Sequence, residues 1–529
     1  MLFNSLRFLF IFLPVTAAGF HLLGRLGRRP VVVWLALMSV VFYAAWSPVL
    51  VLFLLGSIAL NYFFAISIFR APENSAKRKK LLISGIALNL GALFYFKYLF
   101  KSLLLLHVIG WIHPTPHPIL LPLGISFFTF TQISYLVDLA QGQAERQDFL
   151  SYLLFVTFFP HLIAGPILHH KEMMPQFARG KRLDPGSPED PSRRIFGLVP
   201  SDVSLGLTWF VLGLAKKVLI ADKLAPIADT AFTQPVSLSA TSAWIAIIVY
   251  SMQLYFDFSG YSDMAMGLAR IFSIRFPLNF DSPFKASSIT EYWQRWHITL
   301  TRYITLYIYN PLLLAVQRRR LARSAKISRK ALATFGGFAS MVAYPTMLTM
   351  LLTGIWHGAG LQFLIFGAIH GVYLTSTQAW RHFRQPSHHA RSSPFAVFAM
   401  RIGVYLQVCF ALIFFRSSSL HTAFTFLHDL AGRNAAGQPA NFNGAWVFLL
   451  FPVVWFFPNT QQILGEETKR DGVATSPGTP TAVNPTPVPS ILSHLRWRPN
   501  LLWAAVMVVL FFAVLVNLDS TSTFLYFQF

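Results

Sequence analysis

Asp257, Asp263, Asp281, Glu291, Arg295 and His297 all lie within one stretch, Tyr255 to Pro311, flanked by apolar runs. A second, shorter stretch carries His357 in Thr353-Gly-Ile-Trp-His-Gly-Ala-Gly360. An ionisable side chain placed in lipid costs about 3 kcal/mol or more, so such residues face a cavity or a partner. A neutral imidazole takes up a proton near pH 7 and can act as a general base. It would then deprotonate an acceptor hydroxyl attacking a thioester. His297 sits in Trp293-Gln-Arg-Trp-His297, where its plainer role is an interfacial histidine among belt tryptophans. His357 precedes Gly-Ala-Gly, which lets backbone or substrate come close. Its plainer role is a hydrogen bond to a neighbouring helix. Asp257 and Asp263 are six positions apart, hence on different faces of a helix, and read as internal partners more than as a catalytic dyad.

Local order around these groups is legible. Ser288-Ile-Thr-Glu291 fits a capping box and predicts a helix start. Glu291 and Arg295 are four apart, the spacing of an ion pair on one helix face. Phe276 to Tyr303 reads as helices at or near the cytoplasmic interface. The elements that must hold them are membrane helices. The chain has 529 residues, 54% hydrophobic and 12% charged, with a mean hydropathy of +0.53. Soluble domains carry about 25% charged residues. The 52 Phe and 13 Trp suit lipid-facing surfaces and interface belts.

Apolar runs recur along the whole chain, about a dozen at roughly 20 residues per span. They begin at Phe3–Leu23, Val31–Trp46 and Pro48–Phe69. Phe335–Trp356 and Leu361–Trp380 form a hairpin whose corner is His357-Gly-Ala-Gly360. Tyr152–Leu168, interrupted by Pro160, Gly165 and Pro166, reads as a re-entrant segment, because broken backbone at membrane depth must be buried or line a cavity. The polar gaps are mostly too short to fold alone, so a single membrane domain over residues 1–529 is expected. Residues 461–499, rich in Pro, Thr and Ser, have the composition of a flexible cytoplasmic loop within it.

The formal charge of +23 fits basic loops held at the cytoplasmic face, not nucleic acid. Placing Arg25–Arg29 and Lys77–Lys80 there puts the N terminus outside. Cys409 is the one cysteine, so disulfides within the chain and cysteine zinc clusters are excluded. No metal set and no bound cofactor are expected. The chain lacks G-x-S-x-G, H-E-x-x-H, G-x-x-x-x-G-K-[ST] and H-x-x-x-x-D. By residue chemistry alone two classes fit: a membrane enzyme, or a transporter or flippase of a glycan or acyl carrier.

Several segments then narrow the choice: PLGISFFTFTQISYLVD, FFPHLIAGPILHHKEMMPQF, QLYFDFSGYSDMAMGLARIF, IRFPLNFDSPF, SITEYWQRWHITL, LLTGIWHGAG and the ending FLYFQF. Together they resemble the membrane-bound O-acyltransferases (MBOAT), in particular the bacterial alginate O-acetyltransferase branch, over nearly the whole chain. The D-alanyl transfer protein of teichoic acid modification is a more distant relative. Where the alginate branch usually continues with WLRDYLY, this chain has Arg302-Tyr-Ile-Thr-Leu-Tyr-Ile-Tyr309.

The resemblance implies an all-α polytopic bundle with a central funnel or tunnel and with re-entrant and interfacial helices. It implies acyl transfer, acetyl by preference, from a cytoplasmic thioester (acetyl-CoA or an acyl carrier protein) towards an extracytoplasmic polysaccharide hydroxyl. It places the chain in a bacterial inner membrane beside a periplasmic or membrane-anchored acetylation partner. His357 matches the family histidine usually taken as catalytic, and His297 matches a second one on the donor side. Asp257, Asp263, Glu291, Arg295, Trp296 and Trp356 are expected to support the site.

Overall fold

Apolar runs become helices where a cap or a proline starts them. The computed structural model describes residues 1–111, 113, 117, 119–178, 181–182, 194–195, 197–233, 238–384, 393–434, 444–465, 495–518 and 525. In chain order the first helices are α1 (Leu13–Gly24), α2 (Arg28–Ala44), α3 (Pro48–Arg70), α4 (Ala76–Phe94), α5 (Phe100–Val108) and α6 (Ile125–Ala140). Next come α7 (Phe149–Thr157), α8 (Phe159–Leu162), α9 (His170–Ala178), α10 (Pro200–Ala215), α11 (Asp222–Thr233) and α12 (Ala240–Ile271). Then follow α13 (Ile289–Arg295), α14 (Ile298–Ile304), α15 (Asn310–Ala322), α16 (Arg329–Leu332), α17 (Phe335–Phe338) and α18 (Tyr344–His357). The last are α19 (Leu361–Arg384), α20 (Pro394–Arg416), α21 (Leu420–Leu430), α22 (Ala445–Phe456), α23 (Thr460–Leu464) and α24 (Leu501–Val516). The architecture is that of an all-α polytopic membrane protein; a two-residue antiparallel pair, Lys181–Arg182 with Arg194–Ile195, is the small exception.

Five helical stretches among the described residues are long and apolar enough to cross a membrane: Pro48–Arg70, Ala76–Val108, Pro200–Phe232, Phe335–His357 and Pro394–Arg416. Shorter apolar helices stand at Phe8–Gly24, Ile125–Ala140, Ala445–Phe456 and Leu501–Val516. The dozen expected spans therefore resolve into fewer full-length ones, because several apolar runs are shorter as helices than as sequence.

The chain divides into two compact units. The first comprises Met1–Leu219, Gly260–Pro277 and Pro499–Gln528. Its core holds Phe8, Phe42 and Phe159 in mutual ring contact. In it α10 crosses the last part of α12 at backbone contact. A Cβ on Gly206 would meet the Gly267 carbonyl at 2.6 Å, and one on Gly213 the Gly260 carbonyl at 2.6 Å. Small residues permit this approach, which maximises dispersion contact where lipid offers no hydrophobic driving force. The segment expected to be re-entrant is α7 and α8 with a sharp break at Phe158 (φ −49°, ψ 109°). His161 lies inside it, with Nε2 donating to the Phe155 carbonyl at 2.9 Å.

The second unit comprises Ile220–Ser259 and Leu278–Arg498, with Phe529. It contains the predicted hairpin, α18 and α19, whose helices also meet backbone to backbone. A Cβ on Gly354 would run into the Phe363 carbonyl, and one on Gly367 into the Met350 carbonyl. At the start of the stretch expected to be a loop, Gln461–Leu464 are instead helical, in α23, capped by Asn459 and Gln462. Trp497 closes the other end by donating its amide to the Ile463 carbonyl at 2.7 Å. Residues 466–494, the body of that loop, lie outside the described residues.

Candidate active site

The site is built on the turn into α13. Ser288 is extended (φ −149°, ψ 155°) and its hydroxyl accepts the Glu291 amide at 3.2 Å. The reciprocal half of the expected capping box is shifted by one residue. Glu291 Oε2 accepts from the amide and the hydroxyl of Ser287, each at 2.8 Å, and not from the Ser288 amide. One turn on, Arg295 Nε and Nη2 both reach Glu291 Oε1 at 2.9 Å, as the four-residue spacing predicts. Arg295 Nη1 turns to Asp281, donating to its carbonyl at 3.1 Å and lying 3.4 Å from Oδ2. Asp281 Oδ1 accepts from Asn459 Nδ2 at 2.9 Å. Arg295 is thus buried between two carboxylates, one near and one 14 residues away in sequence. Burial alone would raise the Glu291 carboxyl. The Ser287 amide and hydroxyl, then Arg295, outweigh it and hold the group below its ordinary value.

His297 forms the corner between α13 and α14. Its backbone is left-handed (φ 44°, ψ 53°), a conformation costing a bulky residue about 1–3 kcal/mol. Asn279 holds that corner. Its carbonyl accepts the Ile298 amide at 2.9 Å. Its Oδ1 lies 3.0 Å from His297 Nδ1 and accepts the Thr299 hydroxyl at 2.8 Å and the Thr299 amide at 3.4 Å. Phe258 of α12 meets the imidazole edge-on, with centroids 4.7 Å apart. Trp296 stacks on Tyr292 at 5.8 Å and meets Phe280 edge-on at 5.0 Å.

His357 ends α18 and is buried in a box of rings. Trp356 is 4.9 Å away, Phe415 5.2 Å and Phe366 5.9 Å. A Cβ on Gly358 would strike the Phe363 ring, so the glycine lets α19 fold back this closely. Phe366 in turn packs on His370 at 4.7 Å. His370 Nδ1 accepts the indole N–H of Trp293 at 3.3 Å. A continuous row of rings therefore runs from His357 to the helix that ends beside His297. Sequence reasoning missed His370 and Asn279. His370 sits on an apolar helix face and Asn279 in a short apolar motif, and neither position signals a partner.

Asp257 is buried next to Phe258 on the part of α12 in the second unit. Asp263 belongs to the first unit, where Lys216 Nζ reaches it at 2.6 Å and Trp209 Nε1 donates to it at 3.1 Å. The two aspartates belong to different units. A polar cavity of about 750 Å³ adjoins α13, with Ser287, Ser288, Glu291, Ser376, Thr377 and Arg381 among its walls.

Among the described residues one cluster has metal-ligand chemistry. Asp138, His169 and His170, in the first unit, bring their ligand atoms within 4.8 Å of one another. His169 Nε2 lies 2.9 Å and His170 Nε2 2.8 Å from the same Oδ2 of Asp138. The Lys171 amide donates to His169 Nδ1 at 3.3 Å. That places the ring hydrogen on Nε2, pointing at the carboxylate. A metal would need that nitrogen bare, so the geometry is a hydrogen-bonded clasp between α6 and α9.

Membrane-length helices, two buried histidine motifs and a buried charge network define a multi-pass membrane protein. Residues 38–421 match the model of the membrane-bound O-acyltransferase family (MBOAT), and the chain belongs to that family. It is an acyltransferase, which removes the transporter alternative. The chain is 36% identical over 464 residues to a peptidoglycan O-acetyltransferase of Helicobacter pylori, covering 82% of this chain and 80% of that protein. It is 32% identical over 569 residues to a probable alginate O-acetylase of Pseudomonas aeruginosa, covering 100% of both. A teichoic acid D-alanyltransferase of Bacillus subtilis is 25% identical over 311 residues, covering 58% of this chain and 72% of that protein.

Proposed function

We propose that this chain moves an acyl group, acetyl by preference, from a cytoplasmic thioester to a hydroxyl of a polysaccharide outside the bacterial inner membrane. The relatives named for O-acetylation of peptidoglycan and of alginate support the acyl group and the class of acceptor. The observation that carries the site is the ring row from His357 through Phe366 and His370 to Trp293, which ties both histidine motifs into one compact unit.

In this scheme an acceptor hydroxyl attacks the thioester carbonyl carbon while His357 takes its proton. The carbon–oxygen bond forms, the carbon–sulfur bond breaks, and the thiolate leaves and is protonated. His297 stands on the donor side. Glu291, Arg295, Asp257, Trp296 and Trp356 shape the surroundings, and Asp263 holds α10 to the last part of α12 within the first unit. The donor is acetyl-CoA or an acyl carrier protein. A periplasmic or membrane-anchored partner takes the acyl group onward where transfer to the glycan is not direct.

The test is loss and complementation. Surface polysaccharide from a deletion strain should lose ester-linked acetyl groups by mass analysis, and the wild-type gene should restore them. His357→Ala should fail to restore them while inserting normally, because removing a general base costs about 10²–10⁴ in rate. Full acetylation in that variant would overturn the proposal.

A further inference from the structure

We infer that Asn279 is a positioning residue for the proposed transfer: its side-chain carbonyl keeps the His297 hydrogen on Nδ1 and leaves the lone pair on Nε2. The inference rests on the acyltransferase scheme above only for its kinetic consequence. The proton placement follows from hydrogen bonding. Oδ1 of Asn279 already accepts from the Thr299 hydroxyl at 2.8 Å and faces the Thr299 amide at 3.4 Å. The Thr299 amide can only donate, so it fixes which end of the side-chain amide points inward, since the NH₂ end would oppose it; the hydroxyl turns to suit. A carbonyl oxygen has no hydrogen to give. The His297 Nδ1 at 3.0 Å from it must therefore be the donor.

A neutral imidazole with its hydrogen on Nδ1 has one basic nitrogen, Nε2. His297 then enters the transfer as an acceptor of a hydrogen bond or proton, not as a donor. The remaining geometry serves the same end. His297 stands at the left-handed corner, the Asn279 carbonyl pins that corner through the Ile298 amide, and Phe258 packs edge-on against the ring. An amide suits the task better than a carboxylate would. A carboxylate at Nδ1 favours the imidazolium, which has no lone pair. The charged residues on the surrounding elements of this unit are Asp257 on its part of α12, Asp281 just beyond Asn279, Glu291 and Arg295 on α13, and Arg302 on α14. Arg295 is matched by Asp281 and Glu291.

The experiment compares Asn279→Asp and Asn279→Leu with wild type in detergent-purified protein, using His357→Ala as the inactive control. Asn279→Asp keeps the acceptor and the shape but adds charge. It should move the acid limb of the kcat pH profile upward by about one unit or more, with KM for the thioester little changed. Asn279→Leu removes the acceptor and should lower kcat about 10–100-fold, the scale of losing a residue that orients a histidine. Imidazole ¹⁵N shifts, assigned with His297→Gln, should show Nδ1 protonated in wild type and a mixed tautomer in Asn279→Leu. An unmoved acid limb in Asn279→Asp, or a wild-type hydrogen on Nε2, would overturn the inference, and should Asn279→Leu not fold, these two readouts decide. Transfer persisting in His357→Ala would overturn the acyltransferase scheme instead, and the ¹⁵N result would still stand.

Discussion

His370 accepts the indole N–H of Trp293 at 3.3 Å, and both side chains are buried. Their two helices, α13 and α19, each carry one flank of a histidine motif. The contact couples Trp293-Gln-Arg-Trp-His297 to the hairpin whose corner is at His357. It consists of a neutral hydrogen bond and an edge-on ring contact at 5.1 Å. Each such interaction contributes about 1 kcal/mol. The two residues should therefore behave as a unit. Trp293→Phe and His370→Phe should each destabilise the protein by about 1–3 kcal/mol and lower transfer. The double variant should lose less than the sum, with a coupling of about 1 kcal/mol. Thermal unfolding and initial rates of all four proteins make the cycle; strict additivity would mean the contact carries no energy.

Arg295 bridges Glu291 and Asp281 with little exposure of its own. Removing the cation leaves two partly buried carboxylates without the charge they share, the neutral donors of Ser287 and Asn459 remaining. Arg295→Met should cost about 3 kcal/mol or more, the scale of breaking one side of a buried pair. Replacing both sides together, as Arg295→Met with Glu291→Gln, should recover part of that loss. Unfolding midpoints of the single and double variants check it.

Glu291 adds a pH dependence of known sign. Its carboxyl is held below the ordinary glutamate value in the folded protein, so the folded state binds fewer protons than the unfolded chain there. The stability this supplies is present above the unfolded value and is lost as pH falls through the folded one. Glu291→Gln should therefore be less stable than wild type at about pH 7, and the gap should narrow towards about pH 4. Scanning fluorimetry of the pair across that range reads the difference directly. A gap that widens in acid would contradict the network described.

The hairpin that presents His357 depends on bare backbone contact. A side chain at Gly354 or Gly367 has nowhere to go, because the obstruction is the opposite carbonyl and not a movable side chain. Gly354→Val should force α18 and α19 apart and displace His357, costing about 1–3 kcal/mol from overpacking alone. Transfer should fall further than stability, since small shifts of a catalytic group are costly. Gly403→Ala, on α20 with open space around it, is the control and should be near neutral.

Short-range features were legible in the residues themselves. The Ser288 cap, the Glu291–Arg295 pair and the hairpin corner at His357 all follow from spacings of three or four residues or from a glycine between apolar runs. Such signals work because helix geometry repeats locally, whatever the rest of the chain does. The apolar composition by itself determined a multi-pass membrane protein, and the motif set pointed to its family. Tertiary structure alone decided the partners. Asn279 and His297 are 18 residues apart, Trp293 and His370 77, and Asp138 and His170 32. No periodicity reaches across such separations, so the chain order does not say which polar groups meet. It also could not say that Glu291 would choose the Ser287 amide over that of Ser288, because both lie within reach and only the path of the incoming chain separates them. Helices were written locally; the proton-bearing contacts around the two histidines exist only once those helices pack.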